Sequence, residues 1–292
     1  MKDYFLGGLT LRNWATEIWH NTEKDQVFGR AAELAYYFLF ALFPMLIFLT
    51  SLVGFLPGVR EAIFTSLARV VPGEAMTLVH QTIVDVTRNR SSGLISFGVL
   101  GALWAASGGV TAVMGALNAT YKVEEARAFW KIRLLALALT MLLSLLIVGG
   151  TALIMFGDRF SAWLAAQLGL GAVFTVLWGV VDYLLGLVLL FLGLELIYYF
   201  GPNVEQDWKW ITPGAIFAVL SLVTASLLFS LYLRVMPDYS ATYGSLGAVV
   251  VLMLWLYLAG VVVLIGGEIN AVRTRAADEP VRLKQSPAPQ PI

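Results

Sequence analysis

Six apolar stretches, each long enough to cross a bilayer as a helix, constrain this chain more than any other feature. They run over Leu34–Leu56, Leu94–Asn118, Arg133–Phe156, Ala172–Phe200, Ile211–Val235 and Leu246–Asn270. Hydrocarbon ~30 Å thick calls for ~20 residues of helix. Barrel strands are only ~10 residues long and alternate in polarity, which these stretches do not. Of the 292 residues, 59% are hydrophobic and 13% charged, whereas soluble domains carry about 25% charged residues. The few charges crowd between the stretches. A charge at mid-depth costs at least ~2.5 kcal/mol, so the distribution itself is a membrane signature. The expectation is an all-α polytopic membrane protein: six transmembrane helices in one transmembrane domain over residues 1–275. Residues 276–292, with Pro280, Pro287, Pro289 and Pro291, are expected to be a disordered cytoplasmic tail.

Lys and Arg set the orientation. With the N-terminus in the cytoplasm, thirteen of them fall inside and six outside. This predicts that both termini are cytoplasmic. Thr10–Arg30 places Leu11, Trp14, Ala15, Ile18 and Trp19 near one helical face and reads as a helix lying in the cytoplasmic interface. Residues 57–93 are too many for a plain loop. Two amphipathic runs there, split by Pro72-Gly73, predict a small external helical cap. Phe160–Leu170 reads as a further interfacial helix. Pro44 should kink the first span. Small residues recur every four positions at Gly101, Ala105 and Gly109, and every seven at Gly179, Gly186 and Gly193. Such stripes let helix backbones approach closely in lipid.

Several chemistries are excluded or disfavoured. Formal net charge is zero and no basic surface points to nucleic acid. Cysteine is absent, which removes disulfides, thiolate nucleophiles and thiolate metal sites. His20 and His80 have no companions at metal-ligand spacing. No catalytic residues, metal site or cofactor are therefore expected.

What remains is a set of polar groups in or beside the spans. Glu195 interrupts an apolar run that starts at Leu184 and ends at Phe200. Glu268, Asn270 and Asn118 lie near the cytoplasmic ends of their helices, and Glu33 opens the first span. Asp182 stands ~20 Å before Glu195 on one helix, toward the outer face. Acids facing lipid are costly, so these should face the bundle. Two readings follow. Either Glu33, Glu195 and Glu268 satisfy helix ends and pair with Arg30, Arg133 or Arg273, or they line a polar cavity open to the cytoplasm.

Four motifs resemble the YihY/BrkB family of bacterial inner-membrane proteins. They are Ala31-Ala32-Glu33-Leu34-Ala35-Tyr36-Tyr37-Phe38 leading to Pro44, Trp104-Ala105-Ala106-Ser107-Gly108-Gly109 leading to Asn118, Tyr243-Gly244-Ser245-Leu246-Gly247-Ala248, and Trp255-Leu256-Tyr257 leading to Gly266-Gly267-Glu268-Ile269-Asn270-Ala271. Ser107 and Tyr243, within these motifs, complete the candidate site residues. The resemblance implies six spans in the bacterial inner membrane. The family has carried the label ribonuclease BN, which belongs to an unrelated metal-dependent nuclease, and some members are discussed as transporters of lipids. The expected function is a transporter or flippase-like protein handling a lipid or amphiphile. The expected partners are membrane lipids, with a homo-oligomer as a further option. The alternative is a scaffold or partner subunit of an envelope assembly.

Overall fold

The computed structural model describes residues 8–53, 94–168, 172–235, 245–276 and 282–283. The expected external cap lies outside the described residues. Among the described residues seven helices follow in order: α1 (Leu11–Lys24), α2 (Val27–Val53), α3 (Leu94–Thr120), α4 (Phe129–Leu168), α5 (Ala172–Phe200), α6 (Pro213–Val235) and α7 (Ser245–Ala276). Two short strands, β1 (Val204–Glu205) and β2 (Arg282–Leu283), pair antiparallel, Val204 opposite Leu283 and Glu205 opposite Arg282. β2 stands within the tail expected to be disordered, because the carbonyls and amides after α5 offer it an edge.

The fold is an all-α polytopic membrane protein. Among the described residues, α3 to α7 each contain a segment long and apolar enough to cross a membrane. These correspond to five of the six expected spans. The first expected span, α2, lies alongside them, and its 27 residues rise ~40 Å. α2 packs most extensively on α3 and α7, α7 on α6, and α4 on α3 and α5. The helix α2 runs through Pro44, which removes one backbone donor from its ladder. α4 differs from expectation. It continues unbroken to Leu168, so residues 160–168 prolong the helix of the third span past its apolar segment, which ends at Gly157, instead of starting a separate one.

Local chemistry explains the ends. Thr10 caps α1, its hydroxyl accepting from the Asn13 amide at 3.3 Å. Gln26, with φ 53°, makes the corner into α2. α3 ends with Lys122 in the left-handed region, φ 57°. The Lys122 amide donates to the Ala119 carbonyl and the Val123 amide to the Asn118 carbonyl. That paired arrangement closes helix C-termini by satisfying orphan carbonyls.

The core gathers at one end of the bundle. Val27, Ala31, Leu34, Leu117, Tyr198, Ala215 and Leu264 are all buried there, drawn from α2, α3, α5, α6 and α7. Exposed aromatics ring the same end, at Trp19, Phe129, Trp130 and Trp210. Such rings sit at membrane–water interfaces. The small-residue stripes differ from expectation. A Cβ on Gly109 would press on Ala41 at 3.2 Å and Phe38 at 3.3 Å, so Gly109 marks a tight α2–α3 contact. A Cβ on Gly101, Gly179 or Gly186 would meet nothing among the described residues. The closest backbone approach is elsewhere. A Cβ on Gly214 would run into the Gly266 carbonyl, where the start of α6 crosses α7.

Candidate functional site

The start of α6 collects two of the polar residues, Glu195 and Asn270. A helix N-terminus leaves its first amides without helical partners, and in lipid water cannot supply them. Each is accounted for here. Thr212 is the cap, and Pro213 has no amide to satisfy. The Thr212 amide donates to the Glu195 carboxylate at 2.6 Å, and the Gly214 amide donates to Asn270 Oδ1 at 2.8 Å. The Ala215 amide donates to Thr212 Oγ1 at 3.3 Å, and Asn270 Nδ2 donates to the same oxygen at 3.1 Å. Glu195 from α5 and Asn270 from α7 thus hold the first turn of α6 between them. Both are buried. The cavity beside them, bounded by Tyr121, Tyr198 and Asp207, measures about 20 Å³, room for about one water.

Asn118 belongs to a neighbouring network. Its Nδ2 donates to Glu125 at 2.8 Å, and its Oδ1 accepts from the Asn203 amide at 2.7 Å. Arg127 grips the same carboxylate through Nε at 2.7 Å and Nη2 at 2.6 Å, and Nη2 also reaches the Gly201 carbonyl at 3.0 Å. The loop after α3 is thereby tied to the loop after α5. Burial pushes the Glu125 carboxyl up, but hydrogen bonds from the Arg127 side chain and amide outweigh it and hold the group below the ordinary carboxylate value. Burial also pushes the Tyr121 phenol well up.

Glu268 is fully buried, with the Arg275 guanidinium at 3.9 Å. No N–H or hydroxyl donor reaches either carboxylate oxygen among the described residues, and the Asp25 carboxyl lies close enough to share a proton with Glu268. Asp25 and Lys122 are also close enough to act on it electrostatically. Lys122 Nζ in turn lies 4.0 Å from Asp25 and donates to Asn21 at 2.8 Å. Two acids and two bases thus join α1, the end of α3 and the end of α7.

The other candidates are dispersed. Ser107 is buried and donates to the Trp104 carbonyl within its own helix at 2.7 Å. Asp182 is half-buried on α5, beside the α4 backbone at Gly157. Tyr243 lies outside the described residues.

Glu33 borders a larger space. A cavity of about 430 Å³ opens between α2, α3 and the start of α4. Arg30, Glu33 and Arg133 supply its charges, and Leu34, Ala112 and Ala116 supply apolar wall. Gly108 and Gly115 form part of the lining, and a Cβ on either would meet nothing within 4 Å. Arg133 reaches across to α3, where its Nη2 donates to the Trp104 carbonyl at 2.6 Å and its guanidinium lies 4.1 Å from the Trp104 ring centre. The sequence offers Arg30 and Arg133 as orientation charges and as partners for the acids. Glu33 makes no ion pair with either among the described residues; Arg133 is engaged by Trp104 and Arg30 Nε by the Asp25 carbonyl, at 3.0 Å. The signal for this in the sequence is Arg133 itself, an arginine at the head of an otherwise apolar run.

Comparison with known proteins gives a consistent picture. A family model described as Virulence factor BrkB matches residues 18–291. A Bacillus subtilis (strain 168) protein, YfkH, whose name calls it ribonuclease-like, is 36% identical over 254 residues, covering 86% of this chain and 92% of that one. A UPF0761 membrane protein of Chromohalobacter salexigens is 30% identical over 247 residues, covering 82% of this chain. The chain spans 58% of that relative's length. A Pseudomonas aeruginosa (strain LESB58) protein of the same designation is 27% identical over 275 residues, covering 91% of this chain and 63% of that one. No solved structure matches the chain.

Proposed function

The chain belongs to the family described as Virulence factor BrkB, and on that footing we propose that it is an inner-membrane protein that handles an amphiphile in the manner of a transporter or flippase. One observation carries the reading. The cavity between α2, α3 and α4 is about 430 Å³ and has charged groups and apolar wall in the same lining. An amphiphile needs both. The volume falls in the range of small-molecule sites, ~300–1,000 Å³. A lining that mixes charged groups with apolar wall suits an amphiphile better than it suits a brace.

In this reading Glu195 and Asn270 hold the start of α6, Asn118 ties the loop after α3 to the loop after α5, and the separate cavity between α2, α3 and α4 does the binding. The name of the Bacillus relative suggests RNA cleavage. Metal-dependent hydrolysis needs clustered ligands, and among the described residues no group of three His, Cys, Asp or Glu is placed to hold a metal.

The test is transport itself. The full chain is reconstituted into liposomes holding a fluorescent phospholipid, and a membrane-impermeant quencher reports lipid reaching the outer leaflet. Faster exchange than in protein-free vesicles, abolished by Gly115→Leu, is the expected result. A Leu there grows into open space rather than into a neighbour. Exchange no faster than in empty vesicles, with folded protein present, removes the transport reading and favours the scaffold.

A further inference from the structure

We propose that Asp25 and Glu268 form a proton-binding site: their carboxyls hold one proton between them, and that proton clasps helix α1 to the end of α7. The site stands apart from the cavity between α2, α3 and α4 and does not depend on what that cavity takes.

The attachment of α1 is the starting point. Leu11 and Trp19 are exposed, whereas Asn21 and Thr22, in the last turn, are the residues α1 fully buries. The helix is therefore held at one end. Asp25 closes that end, its amide donating to the Asn21 carbonyl at 2.8 Å, and Gln26 turns the chain into α2. The Glu268 carboxyl, 0% exposed on α7, lies within proton-sharing reach of the Asp25 carboxyl.

No N–H or hydroxyl donor reaches Glu268 Oε1, Glu268 Oε2 or Asp25 Oδ2 among the described residues. Buried carboxylate oxygens left without a donor are costly. The hydrogen that fills this gap is one carried by the pair itself. Two carboxylates that share a water-poor site do not both ionise, and one keeps its proton.

The surrounding charges bear on the pair from a distance. Lys122, after α3, has Nζ 4.0 Å from Asp25 Oδ2, and Arg275 on α7 has Nη2 3.9 Å from Glu268 Oε2. Both lie beyond hydrogen-bond reach. The Lys122 side chain is 40% exposed and that of Arg275 24%, against 12% for Asp25 and 0% for Glu268. Water screens the bases and leaves the acids to each other. Tyr121, on which Glu195 and Arg273 also act, lies near Glu268, and burial pushes its phenol up, so it stays neutral. Arg30, at the start of α2, spends its Nε on the Asp25 carbonyl rather than the carboxyl. α6 carries no charged group before Arg234, at its far end.

The docked pair keeps a proton that a hydrated, undocked pair would release. The clasp is therefore complete at acid pH and weakens as pH rises and the pair ionises, because two anions then face each other in a buried site. α7 is a long, packed helix, so the α1 corner is the part that gives way.

The chain has no cysteine, so one introduced into the full-length protein, purified in detergent, reports alone. Thr22→Cys, at a position 2% exposed, is labelled with a maleimide from about pH 5 to about pH 9. Thr16→Cys, at an exposed position on the same helix, corrects for the chemistry of the thiol. Labelling at residue 22 relative to residue 16 should rise by about tenfold or more with pH. Glu268→Gln puts an amide donor where the shared proton was and should hold the ratio low at every pH. Asp25→Asn should do the same from the other side. A ratio that is flat with pH in the otherwise unaltered chain overturns the site, as does a rise that persists in both folded amide variants. Should the cysteine at residue 22 itself free α1, hydrogen exchange at the Asp25 amide decides in the cysteine-free chain. Protection lost as pH rises, and kept in Glu268→Gln, is the expected result. Protection independent of pH, once intrinsic exchange is allowed for, overturns the site.

Discussion

Glu195 shows how a residue with an eye-catching position is read differently once its neighbours are known. Its carboxylate accepts the Thr212 amide at 2.6 Å, and any oxygen acceptor of the same length meets that need. Glu195→Gln should therefore keep the fold, with a melting temperature in detergent close to that of the parent. Glu195→Leu removes the acceptor and strands a buried amide, a loss of ~1–3 kcal/mol that the same melt should reveal. Equal melting of the Leu variant and the parent would show that the cap is dispensable. Glu125 makes a pH-dependent contribution. Arg127 and its amide hold the carboxyl below its ordinary value of 4.5, so its folded-state pKa lies below the unfolded one. The contact stabilises fully above that ordinary value and is lost as pH falls through the folded-state pKa. Melting of the parent should decline on acidification through that range. Glu125→Gln should melt lower than the parent at neutral pH and show less of the decline. Parallel pH profiles for the two proteins would contradict this.

At the scale of elements, the crossing of α6 over α7 depends on two glycines. A Cβ on Gly214 would collide with the Gly266 carbonyl and Asn270, and one on Gly266 with the Tyr198 hydroxyl. Backbone has to move to admit either, so Gly214→Ala should cost ~1–3 kcal/mol or more, while Gly101→Ala, facing open space, should be silent. Thermal unfolding of the two variants side by side is the measurement, and a silent Gly214→Ala would disprove the crossing. Helix positions are legible in the sequence because hydropathy reports length and little else is needed in lipid. The bounds of α5 and the start of α6 follow from composition and from Pro213. Small-residue stripes are less informative. The spacing of Gly101 and of Gly186 says that a backbone could approach, whereas Gly109 and Gly214 are where one does, and only the partner helix distinguishes them. The sequence also shows that Glu195, Asn270 and Asn118 lie at one end. It does not show that a loop amide from Thr212 or Asn203 would occupy them. Arg30 and Arg133 stand in plain view as orientation charges, and their common cavity depends on how α2 meets α4 across α3.

For the whole molecule, the basic residues predict that both termini face the cytoplasm, thirteen against six. Reporter fusions in the loop after Lys122 and at the C-terminus should behave as cytoplasmic, and a fusion between α4 and α5 as external. An external C-terminus would invert the orientation and put the cavity on the other side. The length of α4 has a mechanical consequence. Forty residues in one unbroken helix make a rod of ~60 Å, about twice the hydrocarbon thickness. Its apolar segment ends at Gly157, so the last eleven residues stand ~16 Å beyond that segment. Arg133 is four residues from the opposite tip. The helix is a lever with a short arm at the guanidinium and a long arm toward the far side of the bilayer, and a tilt of ~10° about the Phe129 end sweeps the Leu168 end through ~10 Å. A partner that gripped the far tip and tilted α4 would move Arg133 relative to α2 at reduced amplitude.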